Sequence, residues 1–276
     1  MRKFLYLVII LSITLIACTN KDVKSVPKEP VTELPKDEET VVDEADEKEE
    51  INNVEEEEES HVLQEPLYVI NNKTWSIEPV DEETDDKVVL ITIDDAPDKY
   101  ALEMAKTLEE LDVPAIFFVN GHFLETEEDE KVLKELDQMG FVIGNHTYSH
   151  RGLPELSKEE QADEIMTVNN QVEEIIGKRP IFFRAPFGQN TDYSRQIIQD
   201  EGMVSMNWSY GYDWNKEYMN KDALVDVMVN TDELRSGANL LMHDRKWTAE
   251  ALREIIFGLQ DKGYEFVDPS RIKTVD

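Results

Sequence analysis

A chain of 276 residues with 40% hydrophobic residues can bury a sizeable core, and its formal net charge is −33. That charge excludes nucleic acid and anionic lipid headgroups as partners of the folded part, because phosphate binding depends on Lys and Arg displacing counterions. A neutral polymer suits such a surface.

The chain opens with Arg2 and Lys3, followed by an apolar run over residues 4–17 interrupted by Ser12 and Thr14. The run falls short of the roughly 20 residues of a spanning helix and has the length of the apolar region of an export signal. Cys18, the single cysteine, directly follows Leu15, Ile16 and Ala17. This segment resembles the lipobox of bacterial lipoproteins. The resemblance implies a signal over residues 1–17, cleavage before Cys18, and acyl chains on Cys18 that anchor the protein to the outer face of the bacterial cell membrane. One cysteine permits no internal disulfide, so the exported domain is expected to hold together by its core alone.

Residues 18–65 are expected to be a disordered acidic tether. Residues 19–65 carry 18 Asp or Glu against 5 Lys, with Pro27, Pro30 and Pro35 and almost no aromatic residue. Such a segment cannot bury enough apolar surface to offset its chain entropy, and self-repulsion extends it. His61, within it, is expected to be solvated. No internal repeat is present, and residues from 88 onward still carry about −18 by the same count of charges.

Residues 66–87 form a lead-in, with two short strands expected around Asn71, Asn72 and Lys73. From residue 88 the pattern alternates. Apolar runs suited to buried strands begin at Val88, Ala115, Phe141, Ile181, Met203, Asn239 and Glu265. Segments of helical period lie between them, at 100–111, 128–139, 158–176, 193–201, 222–234 and 248–262. Repeated βα units predict an α/β fold in which helices cover a parallel sheet. About seven strands over residues 88–276 fit an incomplete (β/α) barrel rather than a full eight-fold one.

Residues able to do chemistry fall at the ends of these strands, where parallel α/β folds build their sites. Asp94 and Asp95 follow the first, His146 and His150 the third, Arg184 the fourth, Asp213 and Trp214 the fifth, and His243 the sixth. His146 and His150 are four apart and share one face if the segment makes a helical turn. Two imidazoles and the Asp95 carboxylate would leave coordination positions for water and substrate, as catalytic metal sites do. No Glu follows His146, so the general base must come from elsewhere, and Asp94 is free to serve. Blander readings stand beside these. Asp94 and Asp95 could cap the helix after Pro97, Arg184 could be a surface or ion-pair residue, Trp214 and Leu241 could be core, and His122 could be structural or substrate-facing.

Five ordered blocks then identify a resemblance: Thr92-Ile93-Asp94-Asp95, His146-Thr147-Tyr148-Ser149-His150, Arg184-Ala185-Pro186-Phe187, Asp213-Trp214 and Leu241-Met242-His243. Residues 88–267 resemble the NodB-homology polysaccharide deacetylases, carbohydrate esterase family four. The resemblance implies a distorted (β/α) barrel and hydrolysis of N-acetyl groups on an N-acetylated glycan. It implies Asp94 as general base and Asp95, His146 and His150 as ligands of one divalent metal. It further implies His243 as general acid, Arg184 holding the base, Asp213 tuning His243, and Phe187, Trp214 and Leu241 lining the substrate pocket. Zinc suits such a ligand set, and cobalt or nickel also fits it.

An amide carbonyl is a poor electrophile, so a metal to polarise it and a donor for the oxyanion are both needed. Pro186 has no N–H, which leaves the main-chain N–H of Phe187 as that donor. The chain departs from the usual pattern at Ile93, Ala96, Phe187 and Tyr210, where Phe, Gly, Tyr and Asp are common. An anchor plus an extended tether favours peptidoglycan as the substrate, over chitin oligomers or a biofilm glycan. An acetyl-ester hydrolase acting on another glycan and a non-catalytic wall-binding lipoprotein are the competing readings. No protein partner is implied.

Overall fold

The computed structural model describes residues 65–274. The expected signal, Cys18, His61 and nearly all of the expected tether lie outside the described residues. Strands β1 (Tyr68–Ile70) and β2 (Ile77–Pro79) pair antiparallel. The chain then alternates through β3 (Val88–Ala96), α1 (Ala101–Glu110), β4 (Ala115–Val119), α2 (Glu127–Gln138), β5 (Val142–Asn145) and α3 (Lys158–Ile176). It continues through β6 (Phe182–Phe183), α4 (Asp192–Asp200), β7 (Val204–Ser205), α5 (Lys221–Asn230), β8 (Ala238–His243), α6 (Lys246–Asp261) and β9 (Glu265–Phe266).

Among the described residues β3 to β9 form one parallel sheet in the order β7-β6-β5-β4-β3-β8, with β9 pairing the start of β3. After β7 the chain crosses to the other end of this order. Ser209 donates its N–H to the Asn239 carbonyl (2.8 Å), and Tyr210 accepts from the Leu241 N–H (2.9 Å). This irregular join closes the curled sheet into the expected distorted, incomplete (β/α) barrel.

Alternation along the strands divides the core. Val89, Ile91 and Ile93 of β3 pack outward in a cluster with Met104, Leu108, Leu252 and Ile256 of the covering helices. Val88 and Leu90 share a second cluster with Ile116, Phe118, Phe182 and Met206. Thr92 and Asp94 belong to this second face by the same period. The barrel is thus apolar at the amino ends of its strands and turns polar toward their carboxyl ends. Gly144 of β5 is required there, since a Cβ at that position would lie 2.5 Å from the Phe118 ring.

Helix ends carry their own signals. Thr126 with Asp129, Ser157 with Glu160 and Thr191 with Ser194 form reciprocal capping boxes at the starts of α2, α3 and α4. Two expected elements are shorter than their apolar patterns. The run from Met203 makes only the two-residue β7, because the chain after Met206 leaves β6 to join β8. The helix expected to reach residue 234 ends at Asn230, where Thr231 turns extended (φ −67°, ψ 148°) and its hydroxyl meets that of Tyr212 at 2.8 Å.

Candidate active site

Asp94 and Asp95 are consecutive, and in a regular strand their side chains would point to opposite faces. The β3–β4 register shifts between Ile93 and Ala96, and Asp95 adopts a left-handed conformation (φ 59°). This bulge turns both carboxylates toward one cleft. It also removes the reading of the two residues as a helix cap. The backbone N–H groups of Asp98, Lys99 and Tyr100 ahead of α1 are taken instead by the Asp244 carboxylate, at 2.7, 3.1 and 2.6 Å.

The segment 146–150 is not a helical turn, so the condition under which its spacing would put both imidazoles on one helix face is not met. Thr147 (φ 67°) and His150 (φ 57°) are left-handed, and the loop is held by its neighbours. Asn145 accepts the Thr147 N–H at 2.8 Å, and Glu164 of α3 accepts the Ser149 N–H at 2.8 Å together with its hydroxyl. These bonds fix the loop with the two imidazole centroids 4.9 Å apart.

His146 Nδ1 lies 2.7 Å from the Arg184 carbonyl, which can only accept, so Nδ1 is the donor there and Nε2 is the nitrogen that faces the cleft. His146 Nε2 and His150 Nε2 lie 3.8 and 3.6 Å from Asp95 Oδ1. One atom from each of Asp95, His146 and His150 falls within 4.8 Å of the others. Donors sharing one ion at about 2.0–2.2 Å sit roughly 3–4 Å apart, so this set fits a divalent metal with little adjustment. Burial alone would raise the Asp95 carboxyl, but His146, His243, His150 and Arg245 outweigh it and hold it below the usual value. Burial, followed by the charge of His146, depresses His150, which favours the neutral imidazole that ligation needs.

Arg184 is fully buried and runs up the barrel interior. Its Nη1 donates to Thr92 Oγ1 and Asp94 Oδ1, both at 2.7 Å. Nη2 donates to the Asn207 carbonyl (2.9 Å) and to Asn239 Oδ1 (3.3 Å), and the guanidinium lies 4.3 Å over the Phe118 ring. Arg184 is thus no surface residue, but it is an ion-pair residue, with Asp94 as its countercharge. Asp94 Oδ2 remains directed at the cleft, 3.4 Å from His146 Nε2.

Opposite Asp94 stands His243, its register partner on β8. Asp213 takes the His243 N–H through Oδ2 and meets its Nδ1 through Oδ1, each at 2.7 Å. Thr248 donates its hydroxyl to Asp213 Oδ2 (2.8 Å), and Trp247 donates its indole N–H to the Asp213 carbonyl (2.7 Å). Burial would lower the His243 imidazole, but the Asp213 hydrogen bond and charge, with Asp94 and Asp95 beyond, raise it above the ordinary value.

A cavity of about 320 Å³ joins these groups, walled by Ala185, Phe187, Trp208, Trp214 and Leu241. Leu241 is buried, whereas Phe187 and Trp214 are exposed. Phe187 is left-handed (φ 57°), with its ring edge-on to His150 at 4.9 Å. The structure therefore brings Asp94, Asp95, His146, His150, Arg184, Phe187, Asp213, Trp214, Leu241 and His243 to one cleft. Tyr210 stays outside it, buried with its hydroxyl on the Met228 carbonyl at 2.8 Å. His122 also stays out, its Nδ1 2.7 Å from the Tyr148 carbonyl and its ring 4.0 Å from that of Phe123. Sequence reasoning missed Trp208, whose position just past β7 was the available signal, and the pair Asp244 and Arg245, which directly follow His243.

Residues 81–206 match the family model described as Polysaccharide deacetylase. The peptidoglycan-N-acetylmuramic acid deacetylase PdaA of Bacillus subtilis is 29% identical over 188 residues, covering 66% of this chain and 70% of its own length. The solved peptidoglycan deacetylase PdaC from Bacillus subtilis is 30% identical at a TM-score of 0.60, covering 67% of this chain and 90% of that one. A CE4 family pseudoenzyme from Bacillus anthracis is 29% identical at the same TM-score of 0.60; the match covers 66% of this chain and 63% of that one, just under two thirds.

Proposed function

This chain belongs to the polysaccharide deacetylase family, and on that premise we propose that it hydrolyses N-acetyl groups of N-acetylglucosamine-type residues in an extracellular polysaccharide, releasing acetate. Peptidoglycan is the favoured polymer, in keeping with the names of the relatives PdaA and PdaC. The observation that carries the reading is that two proton-transfer groups with different buried partners line one cavity. Asp94 is bound to a buried cation, and His243 is bound to a buried carboxylate.

Asp95, His146 and His150 hold one divalent ion, for which zinc is the best fit and cobalt or nickel are alternatives. That ion supplies polarisation of the acetyl carbonyl and acidification of a water. Arg184 binds Asp94 Oδ1 and leaves Oδ2 pointed at the cleft, where it takes the proton of the attacking water. The Phe187 N–H is the donor for the carbonyl oxygen as charge builds on it. His243 has Nδ1 committed to Asp213, so Nε2 is the nitrogen that delivers a proton to the departing amine. Trp208, Trp214 and Leu241 enclose the methyl group and exclude water.

An amine leaves only when protonated, whereas an ester alkoxide depends less on an acid. The investment in His243 therefore favours the amide over the ester reading. Likeness to the pseudoenzyme favours a non-catalytic reading, but every group the chemistry needs is present here. Acetate release from an N-acetylated oligosaccharide and from an acetyl-ester glycan, each with and without chelator, separates the three. Release from the ester alone, or from neither substrate with metal supplied, overturns the proposal.

Residues 88–276 are the catalytic domain on this reading, with residues 66–87 as its lead-in. Residues 1–17 are a cleaved signal, and residues 18–65 are a tether that holds the domain near the wall from a lipidated Cys18. No helix among the described residues is long and apolar enough to cross a membrane. Cys18→Ala should move the protein from the detergent to the aqueous phase on partitioning. Unchanged partitioning would remove the anchor.

A further inference from the structure

Two carboxylates in sequence, 2% and 9% exposed, each need a countercharge of their own. Asp94 has Arg184. Asp95 is met by Arg245, which lies outside every motif block that marks the family resemblance. Arg245 Nη2 lies 2.6 Å from Asp95 Oδ2. Its Nη1 donates to the Asp244 carbonyl at 2.9 Å and lies 3.7 Å from Asp98 Oδ2. The fork therefore has three fixed points, one on β3's end, one on the loop beyond it and one on its own chain. The backbone beneath it is also held, since Arg245 occupies the N-terminal boundary of α6 and accepts the Ala249 N–H at 3.0 Å.

The division of the Asp95 oxygens is the informative part. Oδ1 is the atom facing both imidazoles, while Oδ2 is turned to the guanidinium. Resting on the reading of Asp95, His146 and His150 as a metal site, we propose that Arg245 is the positioning residue of that site. It occupies Oδ2 and so limits Asp95 to one ligand atom. A carboxylate free to rotate could offer both oxygens and take up a coordination position that substrate needs. The Arg245 hydrogen bond and charge prevent that rotation, in the way that outer partners orient ligands elsewhere. Lysine cannot reproduce the role fully, because an ammonium is a point charge without the planar fork.

The test is a titration of the metal-stripped full chain with cobalt, using a chromophoric chelator for affinity and the visible absorption of the bound cobalt for coordination. Arg245→Ala should weaken cobalt binding by about 10–100-fold and change the visible bands. Arg245→Lys should lie between Ala and wild type in both readouts. Circular dichroism establishes that each variant is folded, and if Ala is not, Lys and Gln carry the comparison. Affinity equal to or tighter than wild type with unchanged bands would mean that Arg245 only fills in for a cation, and the role is overturned. A wild type that binds no divalent ion overturns the metal site itself, and this role with it.

Discussion

The proposed base side and the proposed acid side of the cleft both rest on a buried carboxylate, yet they are built into the molecule differently. On the base side Asp94 is paired with Arg184, a cation enclosed on every side by the barrel and stacked on Phe118. On the acid side the carboxylate is Asp213, and besides the imidazole it has two neutral donors, the His243 N–H and the Thr248 hydroxyl. Removing the imidazole leaves Asp213 hydrogen-bonded. Removing either charge of the base pair strands the other in the core. Chemistry and folding are inseparable on one side of the cleft and separable on the other.

The largest effect should follow from Arg184→Met, which leaves Asp94 buried without a cation. We expect a loss of about 3–5 kcal/mol in urea unfolding, along with turnover. A loss below about 1 kcal/mol would collapse the contrast. His243→Gln comes next. It should lower kcat by about 10²–10⁴-fold while metal content stays near wild type and the loss of unfolding free energy stays below that of Arg184→Met. If it loses its metal as a His150→Ala protein should, His243 is a ligand and the acid assignment fails.

Asp213→Asn is a milder change on the same side, and its signature is in pH. His243 is raised above its ordinary value chiefly by Asp213, acting against burial. It acts as an acid only when protonated, so activity falls as pH climbs through its folded value. Loss of the Asp213 charge lowers that value and should move the alkaline limb of kcat to lower pH. Linkage gives stability the same sign. The raised imidazole contributes stability that is fully present below its unfolded value and lost as pH rises through the folded one. Asp213→Asn should flatten that slope in unfolding measured across neutral pH. An unmoved alkaline limb would disconnect Asp213 from the acid. The smallest effect is expected from Phe187→Tyr, since the ring is exposed and the proposed donor is main chain. A change in kcat beyond a few-fold would show that the ring itself takes part.

The strands and the order of the blocks could be read from the sequence because both rest on local pattern. Buried parallel strands are continuous apolar runs, and the residues that follow them fall at one end of the sheet by topology. What stayed hidden depends on departures from local pattern. Nothing in Asp94-Asp95 announces the bulge and the left-handed Asp95 that turn both carboxylates inward. The spacing of His146 and His150 brings them to one face only if the segment makes a helical turn, whereas the loop reaches the same convergence through Thr147 and His150 at positive φ. Arg245 and Asp244 look like ordinary surface charges until β8 is laid beside β3. The short β7 was overestimated because Met203, Val204, Met206 and Trp208 give residues 203–208 a mostly apolar pattern, although only two of the six find a strand partner in β6.

The pairing of β3 with β8 places Asp94 and His243 side by side although four strands and five helices separate them along the described chain. Contacts between segments so far apart in sequence form slowly, since the loop they close must first be ordered. The cleft is therefore assembled late. A chain delivered from its amino terminus carries Asp94 long before His243 arrives, and it should stay chemically silent until its last strands dock. On refolding, deacetylase activity should lag the recovery of helical circular dichroism, making the β3–β8 pair a timer as well as a scaffold.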